Sequence, residues 1–141
     1  MKKTIFIAWV LLCSYANSEA NTKTPTEVIA AFNKKFPDAT KVTWDKENAH
    51  EYEAEFYLNK VKYSANYSDT GEWLETESPY KLNQLPEKVL ATFNNKHKNS
   101  KVKDVSKIET SKGKVMFEIE IAIVLKTVEL FYTENGLETK E

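Results

Sequence analysis

Apolar residues along the chain follow two periods, and the change from one period to the other occurs twice in the same order. Between residues 24 and 36 they recur at the three-to-four-residue spacing of an amphipathic helix. The segments that follow alternate apolar and polar residues, most clearly from Tyr52 to Leu58, as half-buried strands do. A second helical pattern begins at Pro86 and is again followed by alternation, most clearly from Val115 to Ile121. The pattern predicts a helix and about four strands, and then the same order again.

Prolines mark the predicted ends of the helices. Thr24, Pro25 and Glu27 have the order of an N-cap, a first helical position and a capping-box acid. Pro37 is predicted to end this first helix, because proline cannot continue the ladder of backbone hydrogen bonds. The second helix is predicted to start at Pro86.

The two halves also share residue types at nearly constant offsets, which indicates an internal duplication. The helix positions Pro25, Val28 and Phe32 recur 61 residues later as Pro86, Val89 and Phe93. After an insertion near residues 110–113, the strand and turn positions Tyr52, Phe56, Tyr67 and Gly71 recur 65 residues later as Phe117, Ile121, Tyr132 and Gly136. We therefore predict two tandem helix-plus-four-strand repeats, residues 21–78 and 79–141, that share one structural domain.

The short connections between the strands favour antiparallel pairing. Gly71, Gly113 and Gly136 are the three glycines of the sequence, and each falls between predicted strands, where a hairpin can require a positive φ. We predict an α+β fold in which one antiparallel sheet of about eight strands carries both helices on one face. The opposite face, which bears glutamates and lysines, is predicted to be open to water and available to another protein.

An export signal is predicted at residues 1–20. Lys2 and Lys3 precede a short apolar run, and small residues follow at Ser18 and Ala20. We expect cleavage after Ala20, with Ser18 as the alternative, because the apolar run is shorter than the roughly 20 residues of a membrane-spanning helix. A lipoprotein anchored through Cys13 is disfavoured, since a bulky residue precedes that cysteine. The mature protein is predicted to be periplasmic or secreted and to contain no cysteine.

Charge argues against nucleic acid and anionic lipid as partners. Removal of Lys2, Lys3 and Glu19 from the 20 basic and 21 acidic residues leaves 18 and 20, a net charge of −2. Every basic residue is a lysine, and the arginine that most often reads phosphates and guanine edges is absent from the sequence. We expect no nucleic-acid partner and no membrane span.

The first half carries a string of residues with a family likeness. Its segments are Val28 to Phe32, Phe36 to Ala39, Val42 to Trp44, Tyr52 to Phe56, and Tyr67 to Trp73. This string resembles the PepSY-like family of exported bacterial proteins, which is also described as beta-lactamase-inhibitor-like. In the second half His97 and Asp104 replace the aromatic residues of that string. The resemblance implies a repeated helix-plus-four-strand module in the cell envelope and inhibition of peptidases by related domains, but it carries over no inhibitory residue.

Catalytic, metal-binding and cofactor-binding sites are not predicted. The triplet that begins at Asp69 has the letters of an aspartic-protease turn, but that chemistry needs a second such aspartate, and the segment is predicted to be a hairpin turn. His50 and His97 fall at non-equivalent places in the two halves and are expected to be solvated.

Acidic and aromatic side chains on the predicted strands also have structural roles. Glu51, Glu53 and Glu55 alternate along one strand and are assigned to a solvated face that pairs with lysines of neighbouring strands. Trp44 shares the parity of Val42 and is expected to point at the core.

Val124 and Leu125 are the residues that we single out as a candidate partner contact. They match Asn59 and Lys60 of the first half, where polar residues form a predicted hairpin tip. Apolar residues at a turn are unfavourable unless something covers them. Two alternatives remain: the pair contacts a partner or a second copy, or it packs within a longer hairpin against the rest of the chain.

Two functions are compatible with these patterns. The first is an exported, non-enzymatic protein-binding module that contacts another envelope or secreted protein, with inhibition of a hydrolase or peptidase as one use. The second is a carrier with an apolar pocket between helix and sheet, lined by Phe32, Tyr52, Tyr63 and Tyr67. Tight packing of these four aromatic residues would count against the carrier.

Overall fold

The structure is a computed structural model that describes residues 23–140. The predicted export signal, its cleavage sites at Ser18 and Ala20, and Cys13 all lie outside the described residues.

Two helices and eight strands alternate in the predicted order. The elements are α1 (Thr26–Lys35), β1 (Thr40–Asn48), β2 (Glu51–Leu58), β3 (Val61–Ser68), β4 (Trp73–Pro79), a short 3-10 turn (Leu82–Gln84), α2 (Glu87–His97), β5 (Lys101–Thr110), β6 (Val115–Ile123), β7 (Lys126–Thr133) and β8 (Glu138–Thr139). The strands form one antiparallel sheet in chain order. The α+β fold with one eight-stranded antiparallel sheet is thus confirmed, whereas the placement of both helices on one face stays a prediction.

The first helix starts later than its sequence predicts. Thr24 was expected to be the N-cap, but the helix begins at Thr26 and Pro25 occupies the capping position without a side-chain cap. Pro25 has ψ 146°, so its backbone is still extended, and its carbonyl accepts the first helical hydrogen bond from the Ile29 amide at 3.2 Å. The prediction of Thr24 as the cap is therefore wrong.

Backbone contacts divide the described residues into two compact units. The N-terminal unit comprises residues 23–79 and 106–115, and the C-terminal unit comprises residues 80–105 and 116–140. The division passes through β5, whereas the predicted repeat boundary lies between residues 78 and 79. That repeat boundary stays a prediction.

An aromatic cluster fills the core of the N-terminal unit. Val28 and Phe32 of α1 are buried together with alternate residues of β2 and β3, namely Tyr52, Ala54, Phe56, Ala65 and Tyr67. The Phe32 ring lies 5.0 Å from the Phe56 ring and 5.3 Å from the Trp44 ring, both edge to face. Trp44 therefore points at the core as predicted. Such pairs add to the free energy of burying the rings themselves.

The C-terminal unit buries apolar residues with the same alternation. Its helix α2 contributes Val89 and Phe93, and its strands contribute Phe117, Ile119, Ile121, Leu130 and Tyr132. The β6–β7 register runs without a bulge from Met116 opposite Thr133 to Ile123 opposite Lys126. One face of this hairpin is therefore apolar over its whole length.

A hairpin glycine touches the backbone of the helix in each unit. Gly71 has φ +83°, and a Cβ added to it would lie 2.7 Å from the carbonyl oxygen of Glu27 in the first turn of α1. Gly136 has φ +78°, and its Cβ would lie 2.5 Å from the carbonyl oxygen of Lys88 in the first turn of α2. Only glycine fits both the left-handed backbone and the short distance.

Gly136→Ala is expected to lower the free energy of unfolding by about 2–4 kcal/mol, because the methyl group adds backbone strain and displaces the helix from the turn. Gly71→Ala should do the same. Gly113→Ala is the matched control, since Gly113 also has a positive φ but has no heavy atom within 4 Å of its added Cβ. Urea unfolding measures the three variants. An equal loss for Gly113 and Gly136 would show that the contact with the helix contributes nothing.

Candidate functional site

The tip of the β6–β7 hairpin exposes a pair of large apolar side chains. The loop has only two residues, Val124 and Leu125, whose side-chain-bearing residues are 89% and 102% exposed relative to reference values. Ile123, which precedes them at the end of β6, is 44% exposed. Together these three residues form the apolar tip. Isolated exposed apolar residues are common, but a contiguous group at a projecting turn is typical of an interaction site.

Backbone strain accompanies the exposure of the apolar tip. Leu125 has φ +66°, in the left-handed region that costs a residue with a Cβ roughly 1–2 kcal/mol. The matching tip of the N-terminal unit also uses left-handed residues, Asn59 at φ +51° and Lys60 at φ +69°. Asparagine tolerates this region because its side chain can bond to nearby backbone, whereas leucine has no such compensation.

The exposure answers one question that the sequence leaves open. The loop between β6 and β7 is as short as the loop between β2 and β3, so the alternative of a longer hairpin is wrong. Packing of the pair against the rest of the described chain is excluded by its exposure. Contact with a partner stays a prediction, since no other molecule is present.

Carboxylates are concentrated on the face of the N-terminal unit opposite its aromatic core. Glu53 of β2 and Glu75 of β4 lie on either side of Asn66 of β3 in the strand register. Burial, with the neighbouring carboxylate of Glu47, raises the pKa of Glu53 from 4.5 to about 7. Burial, with the neighbouring carboxylate of Glu77, raises the pKa of Glu75 to about 7. This face therefore titrates near neutral pH.

The polar face is less open than its sequence predicts. Asn66 is only 8% exposed, and Glu118 of the C-terminal unit is only 9% exposed. Side chains on the neighbouring strands are longer than asparagine and shield it from water. The expected cross-strand ion pair does form between Glu55 and Lys62, at 2.7 Å.

Three acids of the C-terminal unit form a second concentration of negative charge. Glu118 and Glu120 of β6 and Glu129 of β7 each bring a carboxylate oxygen within 4.8 Å of the others. Glu120 and Glu129 are direct cross-strand neighbours, an arrangement in which like charges repel. The alternation of acids along β6 was visible in the sequence, but the contribution of Glu129 depends on the hairpin register. We call these three residues the carboxylate cluster.

The residues of the predicted ligand pocket pack against one another. Phe32, Tyr52 and Tyr67 are at most 7% exposed. The Phe32 and Tyr67 rings are 6.2 Å apart, and Tyr63 stacks on a core phenylalanine at 5.9 Å. Burial also raises the pKa of Tyr67, whose hydroxyl finds no hydrogen-bond partner within residues 23–140. This close packing counts against the small-ligand carrier.

The two histidines lie in different local surroundings. His50 sits at the β1–β2 turn with its side chain 81% exposed, and its Nδ1 lies 2.9 Å from a carboxylate oxygen of Asp69. His97 stacks on Phe93 with ring centroids 5.7 Å apart and is not solvated as predicted. The hairpin predicted at Asp69 is confirmed, because the Gly71 amide bonds back to the Ser68 carbonyl at 2.9 Å.

Comparison with known proteins places this geometry among envelope proteins of similar fold. Residues 50–137 match the family described as "Putative beta-lactamase-inhibitor-like, PepSY-like". Among curated proteins, none matches the chain. Neither α1 nor α2 is long and apolar enough to cross a membrane, and no other such helix occurs in residues 23–140.

Solved structures from three Bacteroides species are similar to the chain. A DUF2874 family protein of Bacteroides ovatus is 25% identical with a TM-score of 0.71, over 84% of this chain and 86% of that one. A protein of Bacteroides eggerthii described as a putative periplasmic protein is 18% identical with a TM-score of 0.75, over 84% and 87%. A "BLIP-like protein" of Bacteroides fragilis is 23% identical with a TM-score of 0.68, over 86% of each chain.

The raised pKa values of Glu53 and Glu75 predict that stability falls as pH rises. Both carboxyls bind a proton in the folded state at pH values where the unfolded chain, with a pKa near 4.5, has released it. Their contribution is therefore fully present below about pH 4.5 and is lost as pH rises through about 7, on the order of 1–2 kcal/mol for each group.

Urea unfolding from pH 4.5 to 8 measures this loss. Glu75→Gln should flatten the profile and raise the stability at pH 8, because the amide stays neutral. Glu72→Gln, which removes an exposed carboxylate, is the matched control. A Glu75→Gln profile parallel to that of the unaltered protein would contradict the prediction.

Leu125→Gly is expected to raise the free energy of unfolding by up to about 1 kcal/mol, because glycine adopts the left-handed backbone without strain. Val124→Gly should lower the stability instead, since Val124 is not in the left-handed region and glycine adds entropy to the unfolded chain. Thermal and urea unfolding compare the two. A loss of stability in Leu125→Gly would mean that the leucine packs in the folded protein.

Proposed function

Since this chain belongs to the PepSY-like, beta-lactamase-inhibitor-like family, we propose that it is a non-enzymatic protein-binding module of the cell envelope that contacts its partner through the apolar tip. The observation that carries the proposal is the full exposure of Val124 and Leu125 at a strained turn. Burial of a valine or leucine side chain is worth roughly 1.5–3 kcal/mol. Two such residues at a projecting tip supply the kind of anchor on which protein interfaces depend.

Several observations support an envelope location and an inhibitor-like role. Residues 1–20 have the order of an export signal, and a protein of similar fold is described as periplasmic. The name of the family and the description of a similar structure as BLIP-like both refer to inhibitors. We propose a hydrolase or peptidase of the envelope as the partner class, with the acidic polar face as a second contact surface beside the apolar tip.

We also propose that the chain arose by duplication of one helix-plus-four-strand module. The glycine contacts support this, because Gly71 meets Glu27 and Gly136 meets Lys88 at the offsets seen in the sequence. The fully buried residues Tyr67 and Tyr132 support it as well.

A lysine near the end of each helix gives further support for duplication. Lys35 places its ammonium 3.5 Å from the centre of the Trp73 ring, a cation–π contact. At the matching positions of the C-terminal unit, Lys96 forms a 2.9 Å ion pair with Glu138. The same two places are joined in both units, but the second unit has replaced the aromatic partner with a carboxylate.

A quantitative pull-down from envelope extract tests the proposed binding. Tagged residues 21–141 should retain a specific protein, and Val124→Ser combined with Leu125→Ser should lose it, because the apolar anchor is removed. Leu137→Ser is the matched control, since Leu137 is also an exposed apolar residue of the C-terminal unit but lies outside the tip, at 68% exposure.

Each outcome decides between contact surfaces. Loss in the tip variant alone supports the apolar tip as the anchor. Equal retention by all three proteins supports protein binding but rejects the tip. Failure of the unaltered protein to retain any protein would overturn the proposed function.

A further inference from the structure

Strand β7 extends past the end of its outer neighbour. β8 has only two residues, and they pair with Phe131 and Tyr132. In the N-terminal unit the corresponding outer strand β4 has seven residues and pairs with β3 as far as Ser64. β7 begins at Lys126, so its first half runs on toward the apolar tip beyond the reach of β8.

The direction of the backbone groups on this part of β7 follows from the hydrogen bonds on either side. The Thr133 amide donates to the Leu137 carbonyl at 2.9 Å, on the β8 side. Because backbone groups alternate in direction along an antiparallel strand, Thr127 points its N–H and C=O to the same side. Next to the apolar tip, β7 therefore presents backbone donors and acceptors at the sheet edge.

The edge at β7 is regular, whereas the edge at β1 is not. The β6–β7 register contains eight consecutive pairs without a shift. In contrast, the β1–β2 register is interrupted twice, and Lys41 of β1 has φ +54°. Bulges and irregular backbone are the usual means by which a protein prevents strands from adding to an edge. The described part of β7 carries no such protection.

Side chains around this edge differ in chemistry on its two sides. On the core side Val128 is half-buried beside the buried Leu130. On the other side lie the three acids of the carboxylate cluster. A strand added here would thus place alternate side chains against an apolar surface and against concentrated negative charge.

We propose that an extended segment of another protein docks as an added strand along β7, with apolar side chains toward Val128 and lysine or arginine side chains toward the carboxylate cluster. This inference rests on the proposed function of protein binding and names the mode and chemistry of that binding. Backbone hydrogen bonds supply affinity in strand addition, and the alternate side chains supply specificity. The apolar tip then holds the end of the added strand.

Charge favours a basic partner over a second copy of this chain. Pairing of two β7 edges would bring Glu129 of each copy toward the carboxylate cluster of the other, where like charges repel. A basic segment instead lowers the repulsion between Glu120 and Glu129, which already face each other across β6 and β7.

Binding of a capped peptide that alternates lysine and valine over seven residues tests the inference on the full mature chain. Its addition should slow hydrogen exchange of the Thr127 amide by about tenfold or more. Thr127→Pro should weaken binding by about tenfold, because proline removes the outward donor. Thr127→Ser is the matched control, since it keeps both the N–H and the hydroxyl that accepts from Lys103 at 2.9 Å.

Two methylated peptides separate strand addition from simple charge attraction. In antiparallel addition the lysine nitrogens face β7, and in parallel addition the valine nitrogens do. Loss of binding by one methylated peptide and not by the other supports the inference and identifies the strand direction. Equal binding of both, or binding unaffected by Thr127→Pro, would overturn it in favour of side-chain charge alone.

The remaining outcomes distinguish this inference from the proposed function. Lack of binding by the unmethylated peptide would overturn the assigned chemistry. If an envelope protein is still captured through Val124 and Leu125, and Thr127→Pro does not affect that capture, protein binding stands and strand addition fails. Sedimentation that shows a dimer dissolved by Thr127→Pro would assign the edge to a second copy and overturn the partner strand.

Discussion

The contact between a hairpin glycine and the first turn of a helix is the constraint on which each unit depends. Backbone meets backbone there, at Gly71 with Glu27 and at Gly136 with Lys88, so no side chain can adjust the distance. The contact fixes the start of the helix against the end of the hairpin. Val28 and Phe32 in one unit, and their counterparts in the other, then face the apolar side of the strands. The core is therefore positioned by a turn that contributes almost no apolar area of its own.

Much of this architecture could be predicted because it depends on local patterns. The alternation in β2 and β6 identified the buried face, and the prolines bracketed both helices. The capping position could not be predicted, since Thr24 and Pro25 both suit a helix start and only the backbone angle of Pro25 decides between them. The carboxylate cluster was missed for a different reason. Its members are distant along the chain, and only the register of β6 with β7 brings Glu129 to Glu120.

Acidic residues on the polar face show what the aromatic core makes possible. Glu53 and Glu75 are held where burial raises their pKa, which costs stability at neutral pH. A sheet face that served only solubility would place its charges in water and alternate their signs. Here the core of the N-terminal unit offsets the cost, and the face keeps a surplus of carboxylates that a cationic surface would neutralise.

The β6–β7 hairpin combines features that lower stability within a few residues of one another. Asn59 shows that the same fold can close such a hairpin with a residue suited to left-handed backbone, yet Leu125 occupies the matching tip of the second unit. β1 shows that an edge can be made irregular, yet β7 is regular up to that tip. Local rules that are broken together in one place usually mark a functional surface. Each feature gains a use when an extended chain lies along β7, because the added strand pairs with the edge, covers the apolar tip and brings positive charge to the carboxylate cluster.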